Sequence, residues 1–169
     1  MKQKIFIHGI MQRSGTNFLN QLLLLHPDCL QTKKRIRENW FLFYSDPLYE
    51  YIENLSKQWS HPTWEGNDFN ISDFKNNIGS SFSNFLADDN CKDNFLVSKT
   101  PKVDNIHRFF EIFPNDKLLI VVRDPKDVVA STYKSWGANS TNIINEWKRA
   151  TISIQNFETI TVSSKYLLL

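Results

Sequence analysis

The sequence predicts an α/β fold of three layers, α/β/α, around a central parallel sheet. Short apolar, β-branched runs alternate with stretches of helical period, the pattern of strands joined by crossover helices. One run, "KLLIVV" at residues 117–122, is apolar on both faces, as expected of a central parallel strand. Three polar segments, led by Arg13, Lys99 and Arg123, follow three of these runs. That is where open α/β sheets bind ligands, beyond the carboxyl ends of the strands.

The first strand is "KIFIHGI", residues 4–10, which ends near a glycine. A helix is predicted over residues 14–25, with Phe18, Leu19, Leu22, Leu23 and Leu25 on its apolar face, Asn17, Asn20 and Gln21 off it, and Pro27 as its stop. The next stretch, "KKRIRENWFLFYSDPLYEYIENL", mixes charges with aromatics, and residues 56–94 are rich in Asn, Ser and Asp. Residues 33–94 thus read as irregular, part helix and part loop lying over the site. Strand "FLVSK", residues 95–99, precedes a helix carried by Val103, Ile106, Phe110 and Phe113 and closed by Pro114. After "KLLIVV", the stretch "RDPKDVVASTYKSW" opens a helix with Asp124 as cap, Pro125 in the first turn and Asp127 at the positive end. Ile143, Trp147, Ala150, Ile154 and Phe157 mark one more amphipathic helix, and the sequence closes on the strand-like "SSKYLLL".

A length of 169 residues suits one domain spanning 1–169. A net charge of +2 is too small to point to nucleic acid, and no apolar run is long enough for a membrane span. The start, "MKQKIFIHGI", lacks a signal-peptide pattern, which predicts a cytoplasmic protein. Cys29 and Cys91 fit no metal spacing and read as reduced thiols.

The loop after the first strand looks like a phosphate loop without its lysine. Gly9 and Gly15 stand one residue further apart than in G-x-x-x-x-G-K-[ST], and Gly15 is followed by Thr16. Ser14, Gly15, Thr16 and Asn17 would still present backbone N–H groups at a helix N-terminus, with the donor fork of Arg13 just before them. The bland alternative is a Ser-Gly-Thr turn that starts a helix.

"RSGTNFLNQLLLLHPD" resembles the 5′-phosphosulfate loop and following helix of sulfotransferases that use 3′-phosphoadenosine-5′-phosphosulfate (PAPS), nearest the tyrosylprotein and carbohydrate branch. "FPNDKLLIVVRDPKDVVAS" resembles that family's 3′-phosphate segment, and "SKTPK" its lysine segment. The resemblance implies the P-loop NTPase-like sulfotransferase fold, PAPS as donor, adenosine 3′,5′-bisphosphate (PAP) as product, and no metal. It implies a 5′-end site at Arg13, Ser14, Gly15, Thr16 and Asn17, and a 3′-phosphate site at Arg123 and Ser131. It also implies that Lys99 meets the leaving oxygen. For the base the nearest match is Glu38 in "RIRENW", later than the family pattern places it and beside Arg35 and Arg37; Glu65 and Asp68 stay open.

Each of these residues has a plainer reading. Arg123 could serve a structural salt bridge, Ser131 could be an ordinary helix serine, Lys99 a surface lysine with Lys102 as its competitor, and Glu38 a partner for arginines. On helix periodicity Ser131 shares a side with Asp127, Lys134 and Ser135, while Trp136 falls with Val128, Val129 and Thr132 on the other. His8 and His26 read as packing or capping residues, and His61 and His107 have no partner identifiable in the sequence. The basic run "KKRIR" reads as a solvated face that could draw in an anionic acceptor. Trp40, Phe41, Phe43, Tyr44, Tyr49, Tyr51, Trp59 and Trp64 could floor an acceptor site, although core packing explains most of them.

The acceptor is expected to be a small-molecule, glycan or peptide hydroxyl. The family's domain continues past a strand like "KYLLL", so the chain reads as C-terminally incomplete, with an exposed final strand that could pair with a second copy. A nucleotide kinase-like phosphotransferase and an inactive nucleotide-binding domain are the competing expectations.

Overall fold

The computed structural model describes residues 3–32, 36–60, 70–87 and 94–169. Lys33, Lys34, Arg35, His61, Trp64, Glu65, Asp68 and Cys91 lie outside them, with whatever the sequence suggests for each. Five strands, β1 (Ile5–Gly9), β2 (Cys29–Gln31), β3 (Phe95–Thr100), β4 (Lys117–Val121) and β5 (Tyr166–Leu168), form one sheet in the order β2-β3-β1-β4-β5. Every pairing is parallel. The α/β class and the parallel sheet are therefore as the sequence predicts, with β1 at the centre.

Strand alternation sends residues to two faces. Phe6, Leu118 and Ile120 enter a large core with Val128, Ile143, Ile154 and Phe157, supplied by helices α5 (Pro125–Trp136) and α6 (Ser140–Ile160). Ile7 and Val97 turn the other way, toward Leu19 and Leu23 of α1 (Thr16–Leu23). Lys99 pairs in register with Ile7, so its side chain emerges on α1's side of the sheet.

Helix α1 departs from its predicted face. Asn20 is buried at 3% exposure, whereas Phe18, Leu22 and Leu25 are 75%, 50% and 79% exposed. The helix also ends at Leu23, before Pro27 can act as its stop. Only Leu19 and Leu23, of the predicted apolar face, pack toward the sheet.

Helices α2 (Asp46–Trp59) and α3 (Ile71–Leu86) occupy much of the stretch expected to lie over the site. They pack on the core instead. The Phe82 ring of α3 lies tilted against that of Phe41, their centres 4.3 Å apart, and Leu86 joins Leu96 of β3. The predicted helix after β3 shrinks to a 3-10 turn, Ile106–Arg108, followed by α4 (Phe109–Ile112). At the sheet edge, Leu167, Leu168 and Leu169 are 52%, 43% and 49% exposed.

Candidate functional site

The loop from β1 to α1 turns within six residues, and two glycines permit it. At Gly9 a Cβ would fall onto Ser14 Oγ and 2.7 Å from Thr16 Cγ2, so the loop can fold back only over a residue without one. Gly15 has φ +106°, a left-handed value that disfavours other residues, and open space where its Cβ would be. Ser14 donates its hydroxyl to the Met11 carbonyl at 2.6 Å, and its backbone N–H goes to the same carbonyl at 3.3 Å. Its side chain therefore braces the loop. Helix α1 begins at Thr16 with no side-chain cap and no acidic residue in its first turn, so its positive end is left for a ligand.

Arg13 has φ 71°, left-handed for a non-glycine residue. Two contacts hold it there. Arg123 Nη1 donates to the Arg13 carbonyl at 3.1 Å, and Arg13 Nε donates to Ser131 Oγ at 2.9 Å. The Arg13 guanidinium also sits 5.7 Å from the centre of the Trp136 ring. Arg123 is braced at its carbonyl by Trp147 Nε1 (3.2 Å) and reaches Asp127 at 3.6 Å. That contact is exposed on both sides, so the structural salt bridge imagined for Arg123 exists but is weak. Asp124 caps α5, accepting from Lys126 N–H at 2.7 Å, which fixes the turn that brings Arg123 and Ser131 to one wall.

At the other end of the site, residues 36–40 are laced onto β3. Asn39 N–H donates to the Lys99 carbonyl at 3.1 Å, Asn39 Nδ2 to Ser98 Oγ at 2.8 Å, and Trp40 N–H to Thr100 Oγ1 at 3.3 Å. This lacing carries Glu38 to Lys99, whose Nζ donates to Glu38 Oε1 at 3.1 Å. Lys99 is buried at 8% exposure, and Glu38 is its ion-pair partner. Lys102 is engaged elsewhere, with Glu146.

Two adjoining cavities result. One, about 320 Å³, is lined by Arg13, Gly15, Thr16, Asn17, Glu38, Arg123 and Ser131, together with Trp136. The second, about 640 Å³, is lined by Asn17, Asn20, Gln21, Gln31, Arg37, Glu38, Trp40 and Lys99. Asn17 and Glu38 belong to both, so the cavities meet there. Of the residues singled out in the sequence, Arg13, Gly15, Thr16, Asn17, Arg123, Ser131, Glu38 and Lys99 come together in this pair of cavities. Ser14 joins them through its backbone position alone.

Sequence reasoning missed Trp136, which was set on the side of α5 away from Ser131. At the last turn of the helix its long side chain reaches back over Arg13, and it remains 56% exposed. Asn20, Gln21 and Gln31 were missed because amides carry no motif. The one available signal was the polar side of α1, where Asn17, Asn20 and Gln21 lie off the predicted apolar face. Of the aromatics offered as an acceptor floor, Trp40 alone among the described residues lines a cavity, while Phe41 packs against Phe82 and Phe113.

The described histidines are structural. His8 is buried, its Nδ1 donates to the Lys102 carbonyl at 2.8 Å, and burial lowers its pKa to about 4. His26 Nδ1 accepts from Asp28 N–H at 3.2 Å, and burial lowers the pKa of His107, with Arg108 adding to the effect. Burial raises the Cys29 thiol pKa, with Asp28 adding to it. Among the described residues no cluster of three or more His, Cys, Asp or Glu could hold a metal, and no helix is long and apolar enough to cross a membrane.

A model of the sulfotransferase family matches residues 4–163. No curated protein matches the chain. Among solved structures, the sulfotransferase domain of the olefin synthase from Synechococcus PCC 7002 superposes with a TM-score of 0.59 at 17% identity, over 99% of this chain and 66% of that one. Sulfotransferase STF1 of Mycobacterium tuberculosis H37Rv gives 0.57 at 15%, over 100% and 62%. Sulfotransferase STF9 of Mycobacterium avium gives 0.55 at 14%, over 99% and 58%. The chain thus spans less than two thirds of the length of these structures, and identities so low carry the fold alone.

Proposed function

The chain belongs to the sulfotransferase family, and from that premise we propose that it moves the sulfuryl group of PAPS to a hydroxyl acceptor by in-line displacement. The observation that carries this reading is the convergence of Arg13, the α1 N-terminus, Arg123 and Ser131 on one cavity that opens at Glu38 into a second. A nucleotide with anionic groups at both ends needs cations and amides along one cleft and an exit toward an acceptor.

The donor residues fit such a group. Arg13 is bonded to a neutral serine hydroxyl, a partner that an anionic oxygen displaces, because charge-assisted bonds are about twice as strong as neutral ones. Trp136 adds a ring at the same wall. The bound donor supplies the sulfuryl group and leaves as PAP. Lys99 Nζ and the α1 amides neutralise oxygens whose charge grows as the S–O bond breaks. Glu38 takes the proton of the attacking hydroxyl, and the proton leaves on its carboxylate. Lys99 also keeps Glu38 oriented in the absence of ligand. The cleft positions both reactants, which accounts for a large share of the rate in transfers of this kind.

Thermal unfolding with PAP, and separately with ATP plus magnesium, tests the donor. At 100 times its Kd, PAP is expected to raise stability by about 2.7 kcal/mol, or roughly 5–10 °C in Tm for a chain of this size. Arg123→Ala should abolish most of that shift. Stabilisation by ATP and magnesium in preference to PAP would favour a phosphotransferase.

A further inference from the structure

Resting on the sulfotransferase reading, we infer that Asn39 is a positioning residue for the transfer. It acts through Glu38, whose carboxylate it holds where the two cavities meet. Asn39 itself lines neither cavity, so its effect on the reaction passes through its neighbour.

Glu38 needs such a hold. Residues 36–40 belong to no helix or strand, so no regular element sets the direction of its side chain. The ion pair with Lys99 restrains it in the absence of ligand. In the proposed reaction Lys99 Nζ turns to the leaving oxygen, where charge builds as the S–O bond breaks. The carboxylate then loses that anchor when it must stay within hydrogen-bond reach of the acceptor hydroxyl. What still restrains it is the backbone beside it.

That backbone is clamped to Ser98, Lys99 and Thr100 of β3. Asn39 Nδ2 donates to Ser98 Oγ at 2.8 Å, its backbone N–H to the Lys99 carbonyl at 3.1 Å, and Trp40 N–H to Thr100 Oγ1 at 3.3 Å. The clamp grips Lys99 and both its neighbours, so base and lysine share one frame. Ser98 and Thr100 are 4% and 1% exposed, and a hydrogen bond between buried groups is costly to leave unmade. The other end of the Asn39 amide is used too. Its Oδ1 accepts from Phe41 N–H at 3.1 Å, an Asx turn that starts the next bend. Bonded at both ends, the amide cannot swing away.

The geometry is enforced at some cost. Trp40 has φ 52°, a left-handed value that a bulky residue keeps only where its surroundings hold it. Between Glu38 and Phe41 the chain passes from Lys99, on α1's side of the sheet, to the core on the other side. The reversal falls on Asn39 and Trp40, directly after the carboxylate.

A double-mutant cycle tests this, using radiolabelled PAPS and the fastest of three acceptors: 4-nitrophenol, a tyrosine peptide and N-acetylglucosamine. Glu38→Gln should lower kcat about 100-fold or more, the low end of what a general base contributes. Asn39→Ala should lower kcat about tenfold or more, because small misplacements of a reacting group are costly. KM for PAPS and the PAP-induced rise in Tm should stay at parent values. Ser98→Ala, which removes the anchor and leaves Asn39 in place, should move kcat the same way by less. It carries the test if Asn39→Ala does not fold, and circular dichroism checks both. In Glu38→Gln/Asn39→Ala the Asn39 effect should vanish, because nothing is left to position. Additive losses, or an unchanged kcat in Asn39→Ala and Ser98→Ala, overturn the inference and leave the transfer reading intact. Glu38→Gln without effect overturns the base and the inference with it. No transfer by the parent protein to any of the three acceptors overturns the transfer reading itself, and the inference falls with it.

Discussion

At the scale of single residues, the cost of burial decides which partner each polar group must have. Lys99 and His8 both lie near the carboxyl ends of their strands and both are buried. Lys99 has a carboxylate beside it, whereas His8 has a carbonyl, and a carbonyl can only accept, so His8 Nδ1 holds the hydrogen. Burial then keeps the ring neutral down to a pKa of about 4. In the unfolded chain it takes up a proton near pH 6.5. Between those values the unfolded state holds more protons, so stability is full above about pH 6.5 and falls as the pH drops toward 4, by on the order of 3 kcal/mol. His8→Gln can keep the bond to Lys102 without titrating. Urea midpoints at pH 7.5, 6, 5 and 4.5 should show the variant near the parent or slightly weaker at pH 7.5 and losing distinctly less at pH 4.5. Parallel curves for both proteins would show that His8 is not buried neutral. Most of the candidate site was readable at this scale. Arg13, Gly15, Lys99 and Arg123 sit at strand ends or in a turn that a short motif marks, and charge in such places has few uses. Asn20 and Trp136 were not readable, because their places at the cavities depend on the rotation of a helix and on the reach of one long side chain.

At the scale of elements, periodicity located helices well where one face meets one core, as in α6, whose Ile143, Ile154 and Phe157 are buried. It failed for α1, which touches the sheet with only part of its circumference and turns an amide inward toward a cavity. It also failed for β2, whose three residues are too few for any alternation to register. After β3, the apolar spacing of Val103, Ile106 and Phe113 is real, and all three are buried, but Ile106–Arg108 winds as a 3-10 turn and α4 adds only four residues. A compact pair of turns can bury the same residues as a helix. That segment matters because α3 packs on it at closest range through Gly79, where a Cβ would overlap the Ile112 carbonyl oxygen and lie 2.8 Å from its Cγ2. Two effects oppose one another in Gly79→Ala. Alanine gains about 1 kcal/mol of helix propensity, while overpacking costs about 1–3 kcal/mol, and a backbone carbonyl cannot swing aside as a side-chain end can. The clash wins. The variant should lose about 1 kcal/mol or more, and differential scanning calorimetry should show Tm lower by at least 2–4 °C. An unchanged or higher Tm would mean that the two helices do not meet there.

At the scale of the whole molecule, the sheet order decides what the cleft can report. Strand β1 lies between β3 and β4, so the segments that follow these three neighbours reach one edge although they are far apart in sequence. Arg13 and Ser131 are 118 residues apart and within 2.9 Å. A ligand gripping both closes no local loop; it ties the two halves of the sheet together. Its binding energy should therefore appear in openings that separate those halves, and hardly in openings confined to α2, which contributes no residue to either cavity. Amide hydrogen exchange gives the test. With PAP at 100 times its Kd, amides of β1 and β4 such as Ile7 and Ile120, buried at 0% exposure, should exchange about 100-fold more slowly. That factor is the linkage energy of about 2.7 kcal/mol expressed as a rate. Amides in the exposed turns of α2 should keep their rates. Protection restricted to α1 would mean that PAP is held at the loop alone, with Arg123 and Ser131 left out of its site.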